Sequence, residues 1–117
     1  MKYALLLYAD EAIEAGLSDA EREAMMAEYG EFTASIEASG HFVSGEPLAL
    51  VRDAISVRRR GGQRMVTDGP FAETREQLGG FYVIQAESLE EAAEIASRIP
   101  AAGTGTVEVR PIPDFGG

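Results

Sequence analysis

Between Asp68 and Ile84 the chain reads DGPFAETREQLGGFYVI. Asp68 stands at a Gly-Pro turn. Glu73, Arg75 and Glu76 follow, then a glycine pair and an apolar run. A carboxyl enclosed in a pocket suits proton transfer near neutral pH, so Asp68 is a candidate general acid or base. A guanidinium grips a carboxylate through two parallel N–H bonds. Arg75, flanked by Glu73 and Glu76, could therefore orient a polar ligand. Plainer uses stand beside these. Asp68 could close an Asx turn ahead of Gly69 and Pro70. The three charges after it could coat a short helical turn.

Three further residue types bear on a site. His41 is the only histidine; it is a second candidate base, or a half-exposed residue opening a strand. Phe81 and Tyr82 are neighbours in an apolar run, so in a strand they face opposite ways. One of them lines the inter-sheet space, as core packing or as a pocket-lining hydroxyl; Tyr82 is the ligand-binding candidate. Arg58 and Arg110 are candidates for a strand arginine that faces inward and needs a carboxylate partner. A lone histidine makes no histidine-rich metal site, and HExxH is absent. No phosphate loop, dinucleotide fingerprint or nucleophile elbow is present. No metal or cofactor is expected.

The elements that must hold these residues follow from pattern. The 117 residues suit one domain, taken as 1–117. KYALLLYA is a continuous apolar run of strand length, as for a central strand covered on both faces. DEAIEAGL reads as a connection. Ser18 and Glu21 have capping-box spacing with Leu17 as staple, opening a helix to about Ser39. Its stripe is Met25, Tyr29, Phe32 and Ile36. Gly30 lies inside it as a point of close packing, and Gly40 stops it. HFVSGEPLALV is extended, with Gly45 and Pro47 marking a bulge or bend. AISVRRR and QRMVT flank Gly61-Gly62 as a hairpin. GFYVIQA is a further strand. Ser88 and Glu91 open a second helix whose apolar face is Leu89, Ala92, Ala93, Ala96 and Ile99, ended by Pro100. TGTVEVRPI is the last strand, with Val107 and Val109 on one face. The tail is extended, with Phe115 docked.

This order, β-α-β, hairpin, β-α-β, is a ferredoxin-like βαββαβ α+β fold with an inserted β-hairpin. Both helices then cover one face of the sheet. The other face is apolar too, and no third helix exists to cover it, so a homodimer packed sheet against sheet is expected.

Charge narrows the partners. The formal net charge of −10 opposes binding to nucleic acid or an anionic membrane. Five of the ten basic residues, Arg52, Arg58, Arg59, Arg60 and Arg64, fall between residues 52 and 64. They could attract an anionic ligand or keep an edge strand from pairing. No apolar run reaches the roughly 20 residues of a membrane span. Cysteine is absent, and a cytoplasmic location is expected.

DGPFAETREQLGGFYVI, with KYALLLYADEA before it, SGEPLALV in the middle and VEVRPI near the end, resembles the DGPF-domain branch of the YCII-related proteins across nearly the whole chain. That family is similar to the dimeric α+β barrel group, in which two ferredoxin-like sheets face each other. The group includes small lyases, isomerases, dehalogenase-like proteins and oxygenases. The resemblance implies a possible His–Asp pair as active site. Here the single histidine, His41, follows the helix-stop glycine, so the carry-over falls on Asp68, first residue of the DGPF motif. It also implies gene neighbours encoding extracytoplasmic-type sigma factors. The expected function is a homodimer binding a small organic molecule, with a cofactor-free isomerisation or elimination in which Asp68 moves the proton and Arg58 or Arg75 steadies the anion. The alternative is a non-catalytic ligand-sensing or interaction module tied to sigma-factor regulation.

Overall fold

Alternation along KYALLLYA decides which way the sheet faces. In the structure, a computed structural model describing residues 1–115, Tyr3, Leu5 and Leu7 of β1 (Lys2–Ala9) are buried. Ala4 and Leu6 between them, and Tyr8 after them, are only half-buried. The strand is apolar on both faces, but this single copy covers one of them. Four strands form the sheet in the order β2-β5-β1-β6, with β2 at Phe42–Pro47, β5 at Gln77–Gln85 and β6 at Thr106–Pro111. Every neighbouring pair is antiparallel. This is the ferredoxin-like α+β arrangement of two split βαβ units. Among the described residues the sheet does not close into a barrel.

Two main helices lie on one face. α2 (Asp19–Ala38) starts at a complete capping box between Ser18 and Glu21 and buries Phe32 and Ile36. Gly40, at φ 81°, follows its end. α3 (Leu89–Ser97) buries Ala92, Ile95 and Ala96. These side chains join Tyr3, Leu5, Leu7, Ile84 and Ile99 in one core. Each fully buried Leu or Ile contributes on the order of 1.5–3 kcal/mol. On β6, Val107 and Val109 pair with Leu7 and Leu5 and pack on that core.

Several local expectations change. DEAIEAGL is not plain connection: Asp10 caps α1 (Glu11–Ala15) by accepting from the Ala12 N–H at 2.9 Å. Gly30 has nothing within 4 Å of where a Cβ would sit, so it serves no close packing. The inner face of α3 runs through Ile95, while Ala93 and Leu89 are exposed. Its capping box is half made, because the Glu91 carboxylate accepts from the Glu87 N–H. After Pro100 a further helical turn, α4, spans Ala101–Thr104. Phe115 is 93% exposed and does not dock.

The inserted hairpin is a sheet of its own. β3 (Ile55–Arg60) and β4 (Gln63–Asp68) pair in register up to Arg60 and Gln63. Gly61 and Gly62, at φ 58° and 79°, make the two-residue turn. Positive φ at both central positions defines a type I′ turn, whose twist matches that of the strands. The hairpin stands clear of the rest. The radius of gyration is 16.3 Å, against about 13 Å for a compact domain of this length.

Candidate functional site

A cavity of about 440 Å³ lies between α2 and the sheet, roofed at one end by α1 and the segment after β2. Glycines make the room. Leu7 pairs with Gly80 and Tyr82 with Gly45, so both glycines occupy positions on the helix-facing side of the sheet. A Cβ on Gly45 would sit 2.8 Å from the Tyr82 ring, and one on Gly80 would sit 3.1 Å from the Glu46 carbonyl. Gly79 is the extra residue of a bulge, skipped between the Leu7–Gly80 and Tyr8–Leu78 pairs. The bulge bends the strand at the cavity floor. Neither Gly79 nor Gly80 has positive φ, so close approach is what Gly80 is there for.

The walls are mostly apolar: Leu7, Met25, Phe42, Leu48 and Leu50. The polar groups are few. The Tyr82 hydroxyl and Thr33 Oγ1 share a hydrogen bond of 2.8 Å across the sheet–helix gap. The Tyr82 ring is held edge-on by Phe32 at 5.2 Å and Phe42 at 6.4 Å. The Tyr29 hydroxyl is pushed up to about 12, chiefly by burial and then by the Glu14 carboxylate. It stays a proton donor at any ordinary pH. Glu11 and Glu14 reach the cavity from α1, and among the described residues no Lys, Arg or His lines it. Glu11 Oε2 accepts from the Val51 N–H at 3.1 Å, and its own N–H donates to Gln77 Oε1 at 2.9 Å. These two bonds pin the 48–51 segment and the start of β5 to α1.

Of the residues singled out from sequence, Tyr82 lines this cavity, on the helix side of the sheet rather than in an inter-sheet space; it is Phe81 that takes the outer face. Asp68 ends β4 opposite Ile55 and is exposed. Its turn is held from the other strand: the Gly69 N–H donates to the Ala54 carbonyl at 2.7 Å, and Ser56 Oγ to the Gly69 carbonyl at 2.8 Å. An Asx bond two residues on is impossible, since Pro70 has no N–H. Arg58 faces Met65 across the exposed hairpin. Glu73 and Arg75 are exposed in the loop between β4 and β5, which contains no helical turn. Glu76 accepts from Thr106 Oγ1 at 2.9 Å and ties that loop to β6. His41 lies before β2, with Nδ1 2.6 Å from Ser39 Oγ and Nε2 3.4 Å from Glu91 Oε1. Arg110 pairs with Glu108 on the outer face of β6. These residues therefore spread over the hairpin, its following loop and the α3 end of the sheet.

Thr33, Tyr29, Glu11 and Glu14 were not singled out. A signal existed for the first: Thr33 lies four residues after Tyr29, a polar position continuing an apolar stripe. For Glu11 and Glu14 the clue was Asp10, a helix cap within a segment taken as loop. Among the described residues no group of three or more His, Cys, Asp or Glu is placed to hold a metal ion. No helix there is long and apolar enough to cross a membrane.

A ferredoxin-like α+β domain with a glycine-floored cavity under its first long helix is the class that fold and site define. The chain belongs to the YCII-related family, whose domain model matches residues 1–116. It is 38% identical over 114 residues to the uncharacterised protein R00369 of Rhizobium meliloti (strain 1021), covering 96% of this chain and 92% of that one. It is 42% identical over 52 residues to the uncharacterised protein YjpA of Bacillus subtilis (strain 168), covering 44% of this chain and 58% of that protein.

Proposed function

We propose that this domain works as a homodimer that binds a small organic molecule in the cavity beneath α2. The observation that carries this is the cavity itself. Its volume, apolar walls and few convergent hydroxyl groups are those of a small-molecule site. Carboxylates without any basic side chain favour a neutral or cationic ligand over an anionic one. Pairing of two copies is supported by the outer face of the sheet. Ala4, Leu6, Tyr8, Phe81 and Val83 are half-buried there with no helix over them among the described residues, and such a face calls for a partner.

Binding is the better-supported activity. The cavity's hydroxyls and Glu11 already hold one another or the backbone, an arrangement suited to positioning rather than to proton transfer. A ligand-sensing role follows naturally. Catalysis through Asp68 requires that residue to meet the bound molecule, and in a single copy Asp68 does not line the cavity.

The test is a thermal-shift screen with amines, alcohols and carboxylates of matched size. A true ligand at a hundredfold excess over Kd adds about 2.7 kcal/mol of stability, several degrees in Tm. Amines or alcohols should shift the wild type and carboxylates should not. The shift should shrink in Thr33→Val and persist in Asp68→Asn. If Asp68→Asn abolishes it while Thr33→Val does not, the site lies at the DGPF turn instead. Absence of any shift across the screen removes the binding reading.

A further inference from the structure

The least explained part of the molecule is the β3–β4 hairpin. Among the described residues it has no strand neighbour, and all of its residues except Ser56 are exposed. The register puts Ile55, Val57 and Val66 on one face, with Arg59 and Arg64 toward the turn and Asp68 opposite Ile55 at the other end. Those three apolar side chains are 61%, 59% and 50% exposed. A lone two-stranded hairpin is marginal in water, and an uncovered β-branched strip makes it worse. Something must cover this face.

Charge says what. The hairpin holds four arginines against Asp68, so it is +3 while the rest of the chain is −13. Nucleic acid and anionic membrane would meet this arm but be repelled by everything behind it. A second copy of the same chain presents what the arm needs. Its outer sheet face is apolar at Leu6, Tyr8, Phe81 and Val83; by register the same face carries Glu46, Glu108 already paired with Arg110, and Lys2 at its end, which leaves Glu46 as the carboxylate open to an arginine.

We infer that the hairpin is an arm that clasps a second copy, laying the Ile55–Val57–Val66 strip on the partner's apolar sheet face with Arg59 and Arg64 toward the carboxylate of the partner's Glu46. This deepens the homodimer reading above and is independent of the ligand. Two arms exchanged about a twofold axis close the assembly at two copies, with no free arm left to propagate a fibre. The arginines add specificity and a salt-dependent encounter rate to an apolar contact.

The test compares two variants with the wild type by sedimentation velocity at low and high salt. Val57→Asp/Val66→Asp alters only exposed arm positions, and Leu6→Asp alters the sheet face; far-ultraviolet circular dichroism checks that each still folds. In parallel, Gln63→Cys gives the chain its sole thiol for a benzophenone label, and mixed heavy- and light-nitrogen protein separates cross-links between copies from those within one. The wild type should be a dimer that weakens with salt. Each variant should raise the dissociation constant at least tenfold, and the label should join heavy to light chains. A dimer lost in Leu6→Asp but intact in Val57→Asp/Val66→Asp, with cross-links confined to single chains, overturns the arm and leaves the homodimer standing. A wild type monomeric at tens of micromolar overturns both.

Discussion

The hydroxyl of Tyr82 on β5 and that of Thr33 on α2 lie 2.8 Å apart, bridging sheet and helix at the wall of the cavity. The bond fixes how far α2 stands from the sheet and so the height of the space between them. Tyr82→Phe keeps the ring against Phe32 and Phe42 but strands the part-buried Thr33 hydroxyl. The expected loss is about 1 kcal/mol, read as a fall of a few degrees in Tm by calorimetry. An unchanged melting curve would show that the hydroxyls prefer water to each other.

Gly45 keeps the Tyr82 ring in its place. An alanine there would put its Cβ 2.8 Å from Tyr82 Cδ1 and 3.0 Å from the Phe81 carbonyl. The ring must then swing toward the cavity. Gly45→Ala should cost about 1–3 kcal/mol by overpacking and reduce ligand-induced thermal shifts more than Tyr82→Phe does. Denaturant melts with and without ligand separate the two effects.

Helix α2 depends on its first turn, since its stripe buries only Phe32 and Ile36 fully. Ser18 Oγ accepts from the Glu21 N–H at 3.1 Å, and Glu21 Oε1 accepts from the Ser18 N–H at 3.0 Å. Ser18→Ala should destabilise by about 1 kcal/mol, measurable as a lower urea midpoint at unchanged slope.

Tyr29 gives the alkaline limb of stability a specific origin. Its folded pKa of about 12 exceeds the ordinary value of 10.0, mainly through burial and then through Glu14. The unfolded chain ionises first, so stability from this group is complete below about pH 10 and is lost as the pH climbs toward 12. Tyr29→Phe should flatten that decline. The ultraviolet difference spectrum between wild type and variant should show the missing phenolate only near pH 12. A phenolate appearing near pH 10 would mean the hydroxyl is open to solvent.

The fold was legible because its signals are local and repeated. Capping-box spacing located α2, the Gly61-Gly62 pair located the hairpin, and alternation at Val107 and Val109 oriented β6. The site was harder to read, for a physical reason. Its floor is made by the absence of side chains at Gly45 and Gly80, and its polar wall pairs Thr33 with Tyr82, 49 residues apart. The antiparallel register of β1, β2 and β5 brings the two glycines and Tyr82 together, and the packing of α2 on that sheet adds Thr33. Asp68 drew attention through the chemistry of its turn, but the strand pairing of the hairpin, not its carboxylate, holds that turn. A short helical turn was open to Glu73, Arg75 and Glu76, yet that segment runs as loop into β5, whose pairing with β1 starts at Gln77 and overrides so weak a local preference.

The cavity has one weak wall. Among the described residues β2 is a border strand paired only with β5, its ladder is interrupted at Val43, and Pro47 offers no donor at its far end. Fraying there needs no hinge and no movement of α2. Deuterium should thus enter Ser44 through Glu46 well before the amides of β1, and a tenant in the chamber behind them should slow that uptake, so the route in and the latch are one piece of chain.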